Sequence, residues 1–337
     1  MTDIAVSSPA PVRYRQTLLC GLLLATMLPA ITIFINYQVD ASIYAVVWLI
    51  SAVFMISSAH SWLTLAYYTD REWLIHFRKK PVVFFVVPAL ILVTAGLWMA
   101  LVPSELGFYL ILGVTFLNLW HHAKQNWGIV AIVGRIRRQN VSALRIPLCW
   151  AWPFFVIPAA MQHPQIANHI GQPVMYGASV ASAMLYLTFF GAFVSRSGFL
   201  KSEPLVLAFG LALGSYFLPM VFLFGKPYGF GFWGFAHGLQ YLLMVLASLS
   251  FKKRRSLTTG RLAANLGAVG SILGLIGLLW YFVFLSTGGA EPWASIGGRI
   301  ALGLAWAVPL VHFWIDAFIW KFSDKEIRQL HGDAFAL

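Results

Sequence analysis

The chain has 337 residues, of which 60% are hydrophobic and only 10% are charged, against about 25% charged residues in an ordinary soluble domain. This composition excludes a soluble globular protein, because a chain so apolar has too little polar surface to cover its core. The net charge of +12 would suit a nucleic-acid-binding protein, but the basic residues are distributed as in a membrane protein, which excludes that partner.

Uncharged stretches recur along the chain, and each is long enough to cross a bilayer core, which takes about 20 apolar residues as a helix. The first, from Thr17 to Asn36, is longer than the core of a cleaved signal peptide and is predicted to be a retained span. The sequence predicts an all-α, polytopic membrane bundle of ten spans, with short tails at 1–16 and 322–337 around a helical domain at 17–321. The spans are predicted at 17–36, 43–68, 81–101, 106–133, 146–162, 174–195, 204–224, 230–251, 265–286 and 298–321.

The basic residues indicate the orientation of these spans. With ten spans and a cytoplasmic N-terminus, 20 of the 23 Lys and Arg residues fall on the inner side. The outer side keeps Lys226 and Arg299, and Lys124 lies within a span. This asymmetry follows the positive-inside rule, and it predicts a plasma (inner) membrane protein with both termini in the cytoplasm.

The two cysteines give no structural framework. Cys20 and Cys149 lie in or beside predicted spans, so they predict neither a disulfide scaffold nor a zinc motif. Because the loops and tails are short, the function is expected to come from the membrane helices themselves.

Ionisable residues within the spans are few, which makes them informative. A charged side chain near the bilayer centre costs about 2.5–3.5 kcal/mol on insertion scales, so it usually faces the protein interior and has a function there. The candidates are His60 in span two, His121, His122 and Lys124 in span four, His237 in span eight, and His312 with Asp316 in span ten.

The histidines lie at similar predicted depths. All four spans run from outside to inside, so depth can be counted back from the first cytoplasmic charge. His60, His122, His237 and His312 precede that charge by 11, 13, 15 and nine residues, or about 17, 20, 23 and 14 Å. A single membrane histidine is more often an interhelical hydrogen-bonding residue than a ligand. Five histidines at one predicted depth instead favour one shared site in the middle to inner half of the bilayer.

Span four carries two neighbouring histidines. Asn118, His121, His122 and Gln125 share an arc of about 100° on a helical wheel. His121 and His122 cannot point in the same direction on a helix, so one is expected to bind a ligand while the other packs. The sequence does not choose between them.

Four polar residues are candidate catalytic groups. His312 and Asp316 are four residues apart, so their side chains are predicted to stack on one helix face, where a carboxylate can bind metal or hold the imidazole N–H. Lys124 would anchor an anionic head group or pair with Asp316 in a buried ion pair. Gln125 and Gln240, each three residues after a histidine, complete this set.

The donor types select a class of metal. Neutral imidazole suits iron, copper or zinc, and a buried set of imidazoles with a carboxylate suits redox-active iron best. A non-haem iron site is therefore predicted, with haem or copper as alternatives. The predicted metal ligands are His60, His121, His122, His237, His312 and Asp316.

These residues predict a membrane-bound oxidoreductase that oxidises, desaturates or hydroxylates a lipid-soluble substrate and receives electrons from a donor protein. The chain resembles histidine-rich membrane desaturases and hydroxylases only in general terms, because none of their paired histidine clusters is present. The alternative is a metal-free lipid-modifying transferase or proton-coupled transporter, in which Lys124 and the histidines bind an anionic head group or relay protons. Membrane lipid is an expected partner in both cases.

Overall fold

The computed structural model describes residues 12–38, 60–160, 170–222, 229–250, 296–331 and 335. Every regular element in these residues is a helix, which confirms the predicted all-α class. The α-helices are α1 (Val12–Gln38), α2 (Arg71–Lys79), α3 (Val87–Leu101), α4 (Ser104–Ile136), α5 (Arg145–Cys149), α6 (Val156–Ala160), α7 (Gln172–Arg196), α8 (Pro204–Gly214), α9 (Pro219–Phe222), α10 (Gly229–Ser250), α11 (Ile296–Ile319) and α12 (Lys325–His331). Short 3₁₀ turns lie at Thr64–Thr69, Ser142–Leu144, Trp152–Phe155 and Phe199–Lys201, and a π turn at Val82–Val86 leads into α3.

Four helical segments in these described ranges are long and apolar enough to cross a membrane: Val82–Leu101, Ser142–Ala160, Gln172–Arg196 and Ile296–Ile319. They coincide with the predicted spans at 81–101, 146–162, 174–195 and 298–321. Apolar side chains are exposed on them: Leu90, Val93 and Leu97, on one face of α3, are each more than half exposed. Such an exposed apolar face suits contact with lipid or with a partner rather than with water.

Three more helices coincide with predicted spans. Helices α1, α4 and α10 lie at the predicted spans 17–36, 106–133 and 230–251. Each has at least 22 residues, but none is among the four segments of the described ranges that are long and apolar enough to cross a membrane, so their role as spans stays a prediction. Residues 43–59 of span two and all of span nine lie outside the described residues.

Prolines interrupt two predicted spans, so neither is one continuous helix. In the fifth, α5 ends at Cys149 and α6 begins only at Val156, with Pro153 in the 3₁₀ turn between them. In the seventh, α8 ends at Gly214 and α9 begins at Pro219. A proline ring has no N–H for the helical ladder, so it breaks a helix interior but suits a helix start.

The chain divides into two compact units. Unit 1 comprises Met1–Cys20, Ala59–Gly107 and Tyr241–Leu337, and unit 2 comprises Gly21–Ser58 and Phe108–Gln240.

In unit 1, α3 and α11 pack side by side in opposite directions. Arg299 at the start of α11 donates from Nη1 to the carbonyl of Val102, just after α3, at 3.2 Å. Trp314 near the end of α11 donates from Nε1 to the carbonyl of Val83, just before α3, at 2.8 Å. These two contacts fix the register of the helix pair.

The described residues of the C-terminal segment pack into the folded core of unit 1. Within the predicted tail at 322–337, His331 and Phe335 are fully buried. The carboxylate of Glu326 accepts a hydrogen bond from Lys79 Nζ at 2.6 Å. This segment therefore closes against α2 at one end of the unit.

In unit 2, an ion pair ties the end of α4 to the start of α8. Arg137 donates from both Nε and Nη2 to the carboxylate of Glu203, with the Nε bond at 2.7 Å. The hydrogen bond from Arg137 to this carboxylate raises the pKa of the guanidinium. Phe155 and Phe217 stack with ring centroids 5.2 Å apart, which packs the two interrupted spans together.

Candidate functional site

The predicted metal ligands divide between the two units. Unit 1 holds His60, His312 and Asp316, and unit 2 holds His121, His122 and His237. All six are buried, with side chains no more than 7% exposed. The predicted single site joins residues of both units and stays a prediction, so each group is described by itself.

The carboxylate cluster of unit 1 consists of His60, Thr64, Tyr241, His312 and Asp316. The rings of His60 and His312 meet edge to face with centroids 4.9 Å apart, and a nitrogen of each lies within 4.8 Å of the other. Asp316 Oδ1 lies 3.5 Å from His312 Nδ1. The imidazole of His60 and the carboxylate of Asp316 thus each bring a metal-binding atom within a few ångströms of the His312 ring.

A chain of hydrogen bonds connects this cluster. Thr64 Oγ1 lies 2.7 Å from His312 Nδ1 and 2.9 Å from the hydroxyl of Tyr241. Tyr241 donates its hydroxyl proton to Asp316 Oδ1 at 2.8 Å. The chain therefore runs from an imidazole through two hydroxyls to a carboxylate.

Helical spacing explains how the members of the carboxylate cluster are brought together. Side chains four residues apart lie on one helix face, which places Asp316 beside His312 on α11, as the sequence predicts. His60 lies on the helical turn at 60–63, and Thr64 begins the 3₁₀ turn that follows it. The same spacing therefore aims His60 and Thr64 at α11 together.

The imidazole cluster of unit 2 consists of His121 and His122 on α4 and His237 on α10. The ring of His237 lies 3.5 Å from that of His122 and 5.2 Å from that of His121, measured between centroids. Trp233, one turn before His237, stacks on His122 at 4.0 Å. The indole thus covers one face of the His122 ring and limits its rotation.

His122 is held in one tautomer by its own helix. Its Nδ1 lies 2.6 Å from the carbonyl oxygen of Asn118. A carbonyl oxygen only accepts, so Nδ1 carries the proton and the lone pair of the neutral ring is on Nε2. That is a form in which imidazole binds metal.

Both neighbouring histidines of α4 contact His237, which the sequence did not anticipate. Adjacent side chains diverge by about 100° on a helix, and which of the two would bind metal stays a prediction. His237 meets both because its ring lies between the two directions, at the distances given above.

The remaining candidate residues lie around α4 and α10 in unit 2. Gln240 is buried and donates from Nε2 to Thr26 Oγ1 at 2.8 Å, so it links α10 to α1. Lys124 is exposed, and its ammonium lies within hydrogen-bonding reach of the Cys149 thiol. Gln125 is half-buried on α4. The catalytic roles predicted for these three residues stay predictions.

One further buried histidine has a structural role. His331 lies with Nδ1 2.7 Å from Ser248 Oγ and Nε2 2.6 Å from the carbonyl of Ile319. Its ring stacks on Trp320 with centroids 4.6 Å apart. Both nitrogens therefore bind protein groups, which makes His331 a packing residue of the C-terminal segment.

Comparison of the chain with protein-family models, with curated proteins and with solved structures gave no match. The interpretation of the site therefore rests on its donor atoms. Two imidazoles with a carboxylate are the donor set of many non-haem iron oxygenases, and imidazole alone suits iron, copper and zinc. The donor atoms of both clusters are of types that bind such metals, and which metal they bind stays a prediction.

Proposed function

We propose that this chain is an integral membrane metalloenzyme that oxidises, desaturates or hydroxylates a lipid-soluble substrate. The observation that carries the proposal is the carboxylate cluster, in which three buried side chains approach at His312: a nitrogen of His60 lies within 4.8 Å of one of its nitrogens, and Asp316 Oδ1 lies 3.5 Å from Nδ1. Burying an ionisable carboxylate among apolar helices is costly unless it is paired or binds metal.

Iron without haem fits these residues best. The carboxylate cluster supplies nitrogen and oxygen donors, and the imidazole cluster supplies nitrogen donors from His121, His122 and His237. Bound iron would supply the redox chemistry, and the protein would position the substrate and keep water away from the reaction. Copper or haem iron remains the alternative where the donors are imidazoles only.

The proposed setting is the plasma (inner) membrane, with ten spans and both termini in the cytoplasm. Contacts within each unit support this topology, because they join segments predicted on the same side. Lys79 meets Glu326 and Arg137 meets Glu203 on the proposed inner side. Arg299 meets the carbonyl of Val102 on the proposed outer side. Each contact requires an even number of spans between its two partners, as ten spans provide.

The proposed substrate and electron donor follow from the same setting. The exposed apolar faces of α3 and α7, which include Leu90 and Leu185, would lie against lipid, so a lipid-soluble substrate could enter from the bilayer. Turnover of an iron oxygenase or desaturase consumes electrons. We therefore propose a donor protein that docks on the basic cytoplasmic side, where charge complementarity would guide an acidic partner.

Metal analysis of histidine variants tests the proposal. His312→Ala and His237→Ala should each purify normally but lose bound metal and activity, because each removes a central imidazole of its cluster. The matched control is His331→Ala, which removes an equally buried histidine outside both clusters and should keep its metal. If both site variants kept a full metal complement, these histidines would not be its ligands and the proposed metal site would be abandoned; a wild type without metal would favour the metal-free alternative.

A further inference from the structure

Thr64 and Tyr241 connect His312 to Asp316 within the carboxylate cluster through hydrogen bonds. Thr64 lies on the 3₁₀ turn after His60, and Tyr241 lies on α10. A hydrogen bond connects their two hydroxyl groups. We infer that Thr64 and Tyr241 are positioning residues that hold His312 with its proton on Nδ1, so that Nε2 presents the lone pair to a metal ion. This inference rests on the metal-binding function proposed above.

The direction of each hydrogen bond follows from counting protons. The hydroxyl of Tyr241 donates its single proton to Asp316 Oδ1. At its contact with Thr64, the oxygen of Tyr241 must therefore accept, and the hydroxyl proton of Thr64 points to it. With that proton used, Thr64 Oγ1 can only accept from His312, so the imidazole proton is on Nδ1.

This arrangement determines what His312 can bind. A neutral imidazole has one N–H and one lone pair, and the hydrogen bond made by the first fixes the position of the second. Partners of this kind orient a metal-binding histidine and raise its basicity. If the His312 proton were on Nε2, Thr64 would have to donate to Nδ1. The hydroxyls of Thr64 and Tyr241 would then have no proton between them, or Tyr241 would have to give up its hydrogen bond to Asp316.

Burial makes the arrangement effective. Thr64, Tyr241 and His312 are at most 1% exposed, so water cannot readily replace a lost link. In such surroundings each hydrogen bond also polarises the next, which strengthens the chain as a whole. Removal of the Thr64 or the Tyr241 hydroxyl should therefore change the orientation and the metal affinity of the His312 imidazole.

Substitution of Thr64 tests the inference. Thr64→Val keeps the shape of the side chain but removes both hydrogen bonds, whereas Thr64→Ser keeps the hydroxyl. The matched control is Thr69→Val on the same 3₁₀ turn, because the Thr69 hydroxyl donates to the nearby carbonyl of Ala66 at 2.7 Å and takes no part in the chain of hydrogen bonds to His312. For each protein, Co²⁺ affinity is measured by competition, the visible spectrum of bound Co²⁺ is recorded, and thermal unfolding is followed.

The expected result separates positioning from stability. Thr64→Val should weaken Co²⁺ binding about 10–100-fold and change the spectrum, while Thr64→Ser and Thr69→Val resemble the wild type. If Thr64→Val does not purify, Tyr241→Phe breaks the next link of the chain and should weaken binding in the same direction.

Two other outcomes would each count against a different statement. Wild-type affinity and spectrum in Thr64→Val, or in Tyr241→Phe where only that variant purifies, would overturn the positioning role. In that case the loss of metal in His312→Ala would leave the proposed function intact. A wild-type protein that bound no metal at all would overturn the proposed function and this inference with it.

Discussion

His312 and Asp316 lie one turn apart on α11, with Nδ1 and Oδ1 separated by 3.5 Å. Both side chains are buried, and the same pair is also bridged through two hydroxyl groups. A carboxylate held so close to an imidazole either binds the same metal or fixes the orientation of the ring. If Asp316 binds the metal directly, loss of its negative charge should weaken metal binding more than if it only orients His312.

Asp316→Asn should keep the fold but weaken metal binding. The amide has the shape of the carboxylate and its oxygen still accepts from Tyr241, but the negative charge is lost. The expected loss is about 10–100-fold in affinity, and more if Asp316 is a direct ligand. A metal competition titration measures it, with Asp324→Asn, a partly exposed carboxylate of the same unit that pairs with Lys80, as the control. Unchanged affinity in Asp316→Asn would exclude the carboxylate from the metal site.

Gly303→Ala should destabilise unit 1 through the contact between α3 and α11. A Cβ at Gly303 would lie 2.5 Å from the carbonyl oxygen of Ala95 and 2.9 Å from Met99 Cβ, so the helices would have to move apart. Overpacking of this kind costs about 1–3 kcal/mol. Thermal unfolding in detergent measures the loss. Gly297→Ala on the same helix, where a Cβ would meet nothing within 4 Å, should not lower stability, and equal stability of both variants would refute the close packing.

The contact between α2 and the C-terminal segment should weaken at acid pH. Hydrogen bonds from Lys79 and then from His76 lower the pKa of Glu326 below its ordinary value of 4.5. The stabilisation from Glu326 is therefore present above pH 4.5 and is lost as the pH falls through the lowered pKa. Because the pair is exposed, the loss should be only about 0.2–1 kcal/mol. Unfolding midpoints measured across this range should fall less in Glu326→Gln than in the wild type, and parallel curves would contradict the prediction.

Reporter fusions should confirm the ten-span topology. The basic segments are expected to stay inside because translocating them is unfavourable. Fusions that should report the cytoplasm follow Lys80, Arg138, Arg255 and Leu337. Fusions that should report the outside lie near Gln172 and Glu291. An external position for the loop between Arg135 and Arg145 would refute both the span count and the depth argument.

Local patterns in the sequence predicted much of the fold and part of the site. Composition and apolar run length predicted the helical class and the positions of α3, α7 and α11, because these depend on nearby residues only. The four-residue spacing of His312 and Asp316 predicted their contact for the same reason. The charge cost of burial predicted that the membrane histidines would be buried, as they are.

Contacts between distant residues could not be predicted in this way. Thr64 bonds Tyr241 and His312 across 177 and 248 residues, and a hydroxyl residue in a membrane helix is too common to attract notice. The only local signal was that Thr64 follows His60 by four residues. No signal in the sequence indicated that Ile327 and His331, in the predicted tail at 322–337, would be buried by tertiary packing.

The most direct test of the account is an absorption spectrum, with metal analysis, of the purified full-length protein. The histidine and carboxylate donors of the two clusters predict near-stoichiometric iron and no Soret band, since no haem is proposed. Protein that is folded but contains no redox metal, even after expression with added iron, would contradict the central claim that these buried residues form a metal centre.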